Sequence, residues 1–274
     1  MALLGRRLAV SIPDTVLEDK DSLREKTTKL GTIARACAIY GVDVVEVFRD
    51  PGGQGEADVI MKVLTYLETP QYLRRRLYPL DEALRYAGML PPLRIPSHKQ
   101  KIPISELKLG DVREGVTNED GTVDVGLDEA VTLGLRGRPG RRVTVRVTSL
   151  APLSAVTVPR EDVPGYWGYL VETKSVGELL SDPRFTMTIA TSRMGEPLSE
   201  SLGRLERSIR AAVGVKLVFG SPSRGLFQIV GRDLEKRVSI VVNLFPEQKV
   251  ETVRTEEAIF AGLGLVSVLS AGKA

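Results

Sequence analysis

The chain has 274 residues, 42% of them hydrophobic and 27% charged, with 38 Lys and Arg against 35 Asp and Glu. That is enough chain for one or two domains with a sizeable core, and a net charge of only +3 leaves any case for nucleic-acid binding to local clustering. One Cys (Cys37) and one His (His98) exclude an intramolecular disulfide and the usual Cys/His zinc sites.

Ser-His or Cys-His catalysis would have to run through His98, which sits in a basic, Pro-containing stretch. No metal is expected. No apolar run approaches the roughly 20 residues of a membrane span. The short apolar start, running into Arg7–Ile12, does not read as a signal peptide. The expectation is a cytoplasmic protein with no membrane partner.

Arg7–Ile12 is the first strand candidate. Ser22 and Glu25 have the spacing of a capping box for a helix running to about Tyr40. Leu30, Ile33, Ala34, Cys37 and Ala38 share one face of it, and Gly41 is a helix-stop residue. Val42–Phe48 is an apolar strand closed by Asp50-Pro51-Gly52-Gly53, and a helix follows from about Glu56 to Leu67. This strand–helix–strand–helix order argues for a parallel sheet.

From about Arg94 to Gly165 helical periodicity disappears. Val143, Val145 and Val147 alternate with Thr144, Arg146 and Thr148, and turn signals recur at Asn118–Gly121 and Gly137–Gly140. Short strands are expected near Val112–Thr117, Val123–Val125, Ala130–Leu133, Val143–Leu150 and Ala155–Val158. Five strands at this size suit a small barrel of OB or SH3-like type.

Trp167 to Leu269 returns to α/β. Ser175 and Glu178 form a second capping box. Strands are expected at Thr186–Ala190, Lys216–Phe219 and Val238–Asn243. Helices are expected at Leu198–Val213 and from Glu256 to about Leu269. The domain reading is therefore a discontinuous α/β domain, 1–93 and 166–274, interrupted by an all-β insert, 94–165.

Each of those three strands runs into a loop of small or polar residues: Thr191-Ser192-Arg193-Met194-Gly195, then Gly220-Ser221-Pro222-Ser223-Arg224-Gly225, then Asn243–Thr255. In a parallel sheet such loops meet at the carboxyl edge, where ligands bind. Gly220 and Gly225 have the spacing of a phosphate-binding loop, but Leu226-Phe227 stands where Lys and Ser or Thr are required. The missing lysine argues against ATP or GTP binding. The last helix is apolar on every side, which calls for burial or a subunit interface, and Gly262 and Gly264 call for close neighbours.

These residues resemble the SPOUT (α/β-knot) RNA methyltransferases. Leu217–Pro222 closed by Arg224-Gly225 is similar to the second signature of that family. Asn243 followed by Val253-Arg254-Thr255-Glu256-Glu257-Ala258 is similar to the third, and Thr32-Ile33-Ala34-Arg35-Ala36 to an N-terminal signature containing an arginine. The β-rich insert resembles that of an archaeal and eukaryotic branch in which an OB-like domain interrupts the enzyme. The resemblance covers nearly the whole chain. It implies an α/β SPOUT-type sheet with a C-terminal trefoil knot, an inserted OB-like barrel, a homodimer, and S-adenosylmethionine as methyl donor.

Carried over by position, the cofactor-binding residues would be Thr191, Ser192, Gly195, Gly220, Ser221, Pro222, Gly225, Asn243, Thr252, Arg254, Thr255 and Ala258. Arg35 would be the catalytic residue, favouring an anionic form of the target base. Asp233 is the one aspartate near the signatures, though Gly231–Arg237 reads more simply as a charged turn. Ribosomal RNA would be the substrate, with a uridine base nitrogen favoured over a ribose 2′-oxygen. RNA binding has separate support from Arg136, Arg138, Arg141, Arg142 and Arg146 in the insert, with His98, Lys99 and Lys101 at its entrance and Arg74-Arg75-Arg76 upstream. The competing expectation is a knotted module that binds RNA or other nucleic acid without catalysis.

Overall fold

A computed structural model describes residues 7–133 and 138–271. In chain order the elements are β1 (Arg7–Pro13), α1 (Leu23–Tyr40), β2 (Val44–Phe48), α2 (Ala57–Glu68), α3 (Gln71–Leu77), β3 (Val112–Thr117), β4 (Thr122–Asp124), β5 (Val131–Leu133), β6 (Arg142–Leu150), β7 (Leu153–Thr157), β8 (Leu170–Lys174), α4 (Val176–Leu180), β9 (Met187–Pro197), α5 (Leu198–Ala211), β10 (Gly214–Val218), α6 (Leu226–Val230), α7 (Leu234–Arg237), β11 (Ile240–Asn243) and α8 (Thr255–Ser270). They form two compact units. One takes the chain up to Thr65, Tyr86–Leu90 and everything from Tyr169 onward; the other takes Tyr66–Arg85 and Pro91–Gly168. Residues 66–85, with α3, group with the barrel, so that unit starts upstream of the expected residue 94.

The α/β unit is built on a parallel sheet of order β11-β9-β10-β1-β2-β8. β2 and β10 are buried along their whole lengths, and β1 everywhere but its first residue, as parallel strands covered on both faces must be. The core accommodates a charged set at the centre of the sheet. Ser11 and Lys216 both bond the Glu46 carboxylate, at 2.7 and 3.0 Å, and the Lys216 ammonium also donates to the Leu179 carbonyl at 2.6 Å. Burial pushes the Lys216 pKa down, against the pull of Glu46.

The α1 boundaries follow from local chemistry. Ser22 and Glu25 make the reciprocal capping bonds, and Gly41 ends the helix in the left-handed region at φ 68°. α8 packs on α1 and α5. A Cβ on Gly262 would lie 3.0 Å from Leu217, and one on Gly264 3.2 Å from the Tyr40 hydroxyl; those are the close neighbours the two glycines imply. The N-cap of α8 is Arg254, whose N–H donates to Glu257 at 2.9 Å.

β8 pairs in parallel with β2 at the sheet edge and has no counterpart in the expected elements. The second unit is a closed barrel of order β3-β4-β5-β7-β6, filled by Val123, Val125, Val131, Leu133, Val145 and Ala155. Among the described residues no helix is long and apolar enough to cross a membrane.

Candidate functional site

Three connections of the α/β unit line one cavity of about 480 Å³, within the range of small-molecule sites. The first is not a loop beyond a strand end. β9 pairs Ala190 with Val241 and then Glu196 with Val242, so residues 191–195 bulge out between two consecutive rungs. The bulge closes at Gly195, where a Cβ would come within 2.8 Å of the Val241 carbonyl group. Side-chain bonds tie the three connections together. Thr191 Oγ1 donates to the Val218 carbonyl at 3.1 Å, Asn243 Nδ2 to the Arg193 carbonyl at 3.1 Å, and Thr255 Oγ1 to the Gly220 carbonyl at 3.4 Å. Asn243 Oδ1 also accepts the Phe245 N–H at 2.9 Å, turning the chain as it leaves β11.

Of the twelve residues expected to hold a cofactor, ten line this cavity: Thr191, Ser192, Gly220, Ser221, Pro222, Gly225, Asn243, Thr252, Thr255 and Ala258. Gly195 and Arg254 do not; Gly195 seals the bulge and Arg254 caps α8. Sequence reasoning missed Phe227 and Gln228 from α6, and Phe245 and Gln248 from the third connection. Gly225 caps α6 directly, with its N–H donating to Gln228 Oε1 at 2.9 Å. The Gly-x-x-Gln spacing was the available signal for Gln228.

The lining holds no lysine. Its walls combine aromatic and aliphatic side chains (Phe219, Phe227, Leu244, Phe245, Val253) with hydroxyls and amides. Arg193, Arg224 and Glu251 also line the cavity, so the set suits a ligand with an apolar ring and polar or charged ends.

Arg35 lies exposed on α1 and is not part of the cavity lining. Asp233 pairs with Lys236 at 3.1 Å, with both side chains largely exposed, as a charged turn would. The Cys37 thiol is fully buried and pushed up to about 12 by that burial, so it is no nucleophile. Among the described residues no group of three or more His, Cys, Asp and Glu is arranged to hold a metal ion.

In the barrel unit the basic residues divide. Arg136 lies outside the described residues. Arg138 and Arg141 are exposed, and Arg146 is half-buried on β6. Arg142 is turned into the unit itself. Its guanidinium bonds Glu68 and Glu114, both at 2.5 Å, and these carboxylates also take up Arg160, Thr144 and the Trp167 indole N–H. Burial favours loss of the Arg142 proton, but the two carboxylates outweigh it and raise the pKa.

Arg74 is likewise buried, donating to the Leu67 and Thr69 carbonyls; Arg76 meets Asp124 and Asn118, and Arg75 is exposed. His98 Nε2 contacts the Glu68 carbonyl at 2.8 Å, and burial pushes its pKa down to about 4. Trp167 and Tyr169, where the chain leaves the insert, are buried.

The profile of the family described as "Putative RNA methyltransferase" matches residues 7–266. The chain is 35% identical over 286 residues to an uncharacterized protein of Halobacterium salinarum, covering 95% of this chain and 98% of that one. It is 34% identical over 278 residues to one of Haloarcula marismortui, covering 93% and 96%. It is 31% identical over 296 residues to the 28S rRNA (uridine-N(3))-methyltransferase of Homo sapiens, covering 93% of this chain and 76% of that one.

Proposed function

Since this chain belongs to that RNA methyltransferase family, we propose that it transfers a methyl group from S-adenosylmethionine to a uridine base nitrogen in ribosomal RNA. The observation that carries this reading is the meeting of three separate connections of one parallel sheet in a single cavity. The name of the human relative supports the choice of nucleotide and of atom.

The cavity residues fit the cofactor. Backbone groups around Gly220 and along Asn243–Thr255 would hold the adenine, with the aromatic wall of Phe219 and Phe245 beside it, and the hydroxyls of Thr191, Ser192 and Thr252 would face its polar parts. When bound, the cofactor supplies an electrophilic methyl group on a sulfonium. The protein's own contribution is to align the nucleophile and to favour the deprotonated uridine, for which a guanidinium is suited. Arg35 is our candidate for that second role.

We read the C-terminal connections as the trefoil knot of SPOUT enzymes. The barrel's strand order, with β5 and β7 pairing in parallel, supports the OB type. The exposed Arg138 and Arg141 would contact RNA phosphates. A homodimer is supported by α8, which is apolar all round yet leaves Val268 71% exposed.

The test is incubation with methyl-labelled S-adenosylmethionine and ribosomal RNA, followed by nucleoside mass spectrometry. Label in 3-methyluridine is expected. Label on the ribose, or none from a folded protein that binds the RNA, would overturn the assignment.

A further inference from the structure

The Asp50-Pro51-Gly52-Gly53-Gln54-Gly55 stretch after β2 is more than a turn. Asp50 is 2% exposed. One of its carboxylate oxygens accepts the Gly52 N–H at 3.0 Å and the Arg224 guanidinium, and the other accepts the Thr15 hydroxyl at 3.1 Å. Its own N–H donates to Asp14 at 2.9 Å. Each glycine of the stretch clears a path for one member of this set. A Cβ on Gly52 would lie 2.1 Å from the Arg224 Nη1, one on Gly53 2.3 Å from Thr15, and one on Gly55 2.0 Å from Asp14.

A second acid reaches the same loop from the β1–α1 connection. A single oxygen of Glu18 accepts the Ser221 hydroxyl at 2.5 Å, the Ser223 hydroxyl at 2.7 Å and the Ser223 N–H at 3.0 Å. Burial pushes the Glu18 pKa up, but these bonds together hold the carboxyl below its ordinary range.

Otherwise the loop between Gly220 and Gly225 is held at its ends, by Thr255 on the Gly220 carbonyl and by Gln228 on the Gly225 N–H. It closes on itself through Ser221 N–H to the Arg224 carbonyl at 2.9 Å and Arg224 N–H to Ser221 Oγ at 3.1 Å, and none of residues 220–225 is fully buried. Neither Glu18 nor Asp50 lines the cavity, so whatever they do for a ligand they do through this loop.

We infer that Asp50 and Glu18 are positioning residues for the cofactor loop: Asp50 through Arg224, and Glu18 through Ser221 and Ser223, fix Gly220–Gly225 as one wall of the cavity. Gly52 is small so that the guanidinium can reach its acid. The loop is thereby preorganised before any ligand arrives, which spares the ligand the cost of ordering it. This inference rests on the cofactor reading of the cavity, but its structural half stands without it.

The experiment uses the full chain and three variants, Asp50→Asn, Glu18→Gln and Gly52→Ala. The last keeps both charges and needs no left-handed backbone, since Gly52 is not among the positive-φ glycines; it only displaces the guanidinium. Amide hydrogen exchange of the ligand-free proteins is read first. Residues 220–225 are expected to exchange about tenfold faster in each variant, with β10 unchanged. Calorimetric titration with S-adenosylmethionine is then expected to show roughly tenfold weaker binding at unchanged stoichiometry.

Unchanged exchange at 220–225, or Asp50→Asn binding as tightly as the parent, overturns the inference. A parent that does not bind S-adenosylmethionine overturns the cofactor reading instead, and the exchange result alone then decides the role of the two acids.

Discussion

The Gly220–Gly225 loop and the Arg136–Arg146 run both stand out in the sequence by composition alone, and the fold treats them differently. The loop's residues reach one cavity with the two neighbouring connections. The described arginines of the run separate, Arg138 and Arg141 to the surface and Arg142 to a buried pair of carboxylates. The difference lies in what directs each group. In an all-parallel sheet every strand ends at the same edge, so residues following strands are brought together whatever their side chains. On a barrel strand, position only chooses between two faces. Arg142, Thr144 and Arg146 share the face away from the valine core, and what covers that face decides which of them meets solvent. Glu68, remote in sequence, meets Arg142, and Trp167 bonds the Glu114 carboxylate that Arg142 also holds.

The sharpest way to break this comparison is to remove the acid that turns Arg142 inward. Glu114→Ala leaves the guanidinium, the Thr144 hydroxyl and the Trp167 N–H without their shared acceptor. It is expected to destabilise the protein by about 3–5 kcal/mol in urea unfolding. A loss below about 1 kcal/mol would mark the cluster as an ordinary surface network.

The same buried region sets a pH response. His98 is the only histidine and is held neutral down to about 4, whereas in the unfolded chain it takes up a proton near pH 6.5. Between those values the unfolded state binds the extra proton. Stability is therefore intact above pH 6.5 and falls as pH drops toward 4, by on the order of 2 kcal/mol. His98→Gln should flatten that window in unfolding curves taken at pH 7 and pH 5.

Charge reversal of the exposed pair, Arg138→Glu with Arg141→Glu, should weaken RNA binding by roughly tenfold or more and reduce the salt slope by about 1.5, with no change in melting temperature. Arg142→Lys is expected to do the reverse, lowering the melting temperature with little change in the salt slope, because lysine cannot bridge two carboxylates as the guanidinium does. The smallest effect belongs to the α/β unit. Ser22→Ala removes half of the α1 capping box and should cost about 1 kcal/mol.

What was legible in the sequence follows the same division. The capping boxes at Ser22 and Ser175, the stop at Gly41 and the five barrel strands stand where local chemistry puts them. β8 was not legible, because Leu170–Lys174 is an edge strand with polar Glu172 and Lys174 in place of a continuous apolar run. α3 was hidden behind Arg74-Arg75-Arg76, which reads as a basic patch until Leu67 and Thr69 are seen to accept from Arg74. Eight of the twelve cofactor candidates reached the cavity because strand ends fix where connections go, and Thr191 and Ser192 because β9 bulges there. Gly195 and Arg254 fell outside because their backbones serve the bulge and the helix cap. The acids at Glu18 and Asp50 carried no readable signal, since their partners lie more than 170 residues away along the chain.

The central claim is that the cavity formed by the three connections holds S-adenosylmethionine. Calorimetric titration of the purified protein, alongside Gly220→Arg, tests it most directly. A Cβ at Gly220 would lie 2.9 Å from the Arg224 carbonyl oxygen, so the larger side chain must displace the loop or fill the cavity. Saturable binding by the parent that is lost in a folded Gly220→Arg variant is the predicted result. Absence of binding by the folded parent, or equal binding by both proteins, would contradict it.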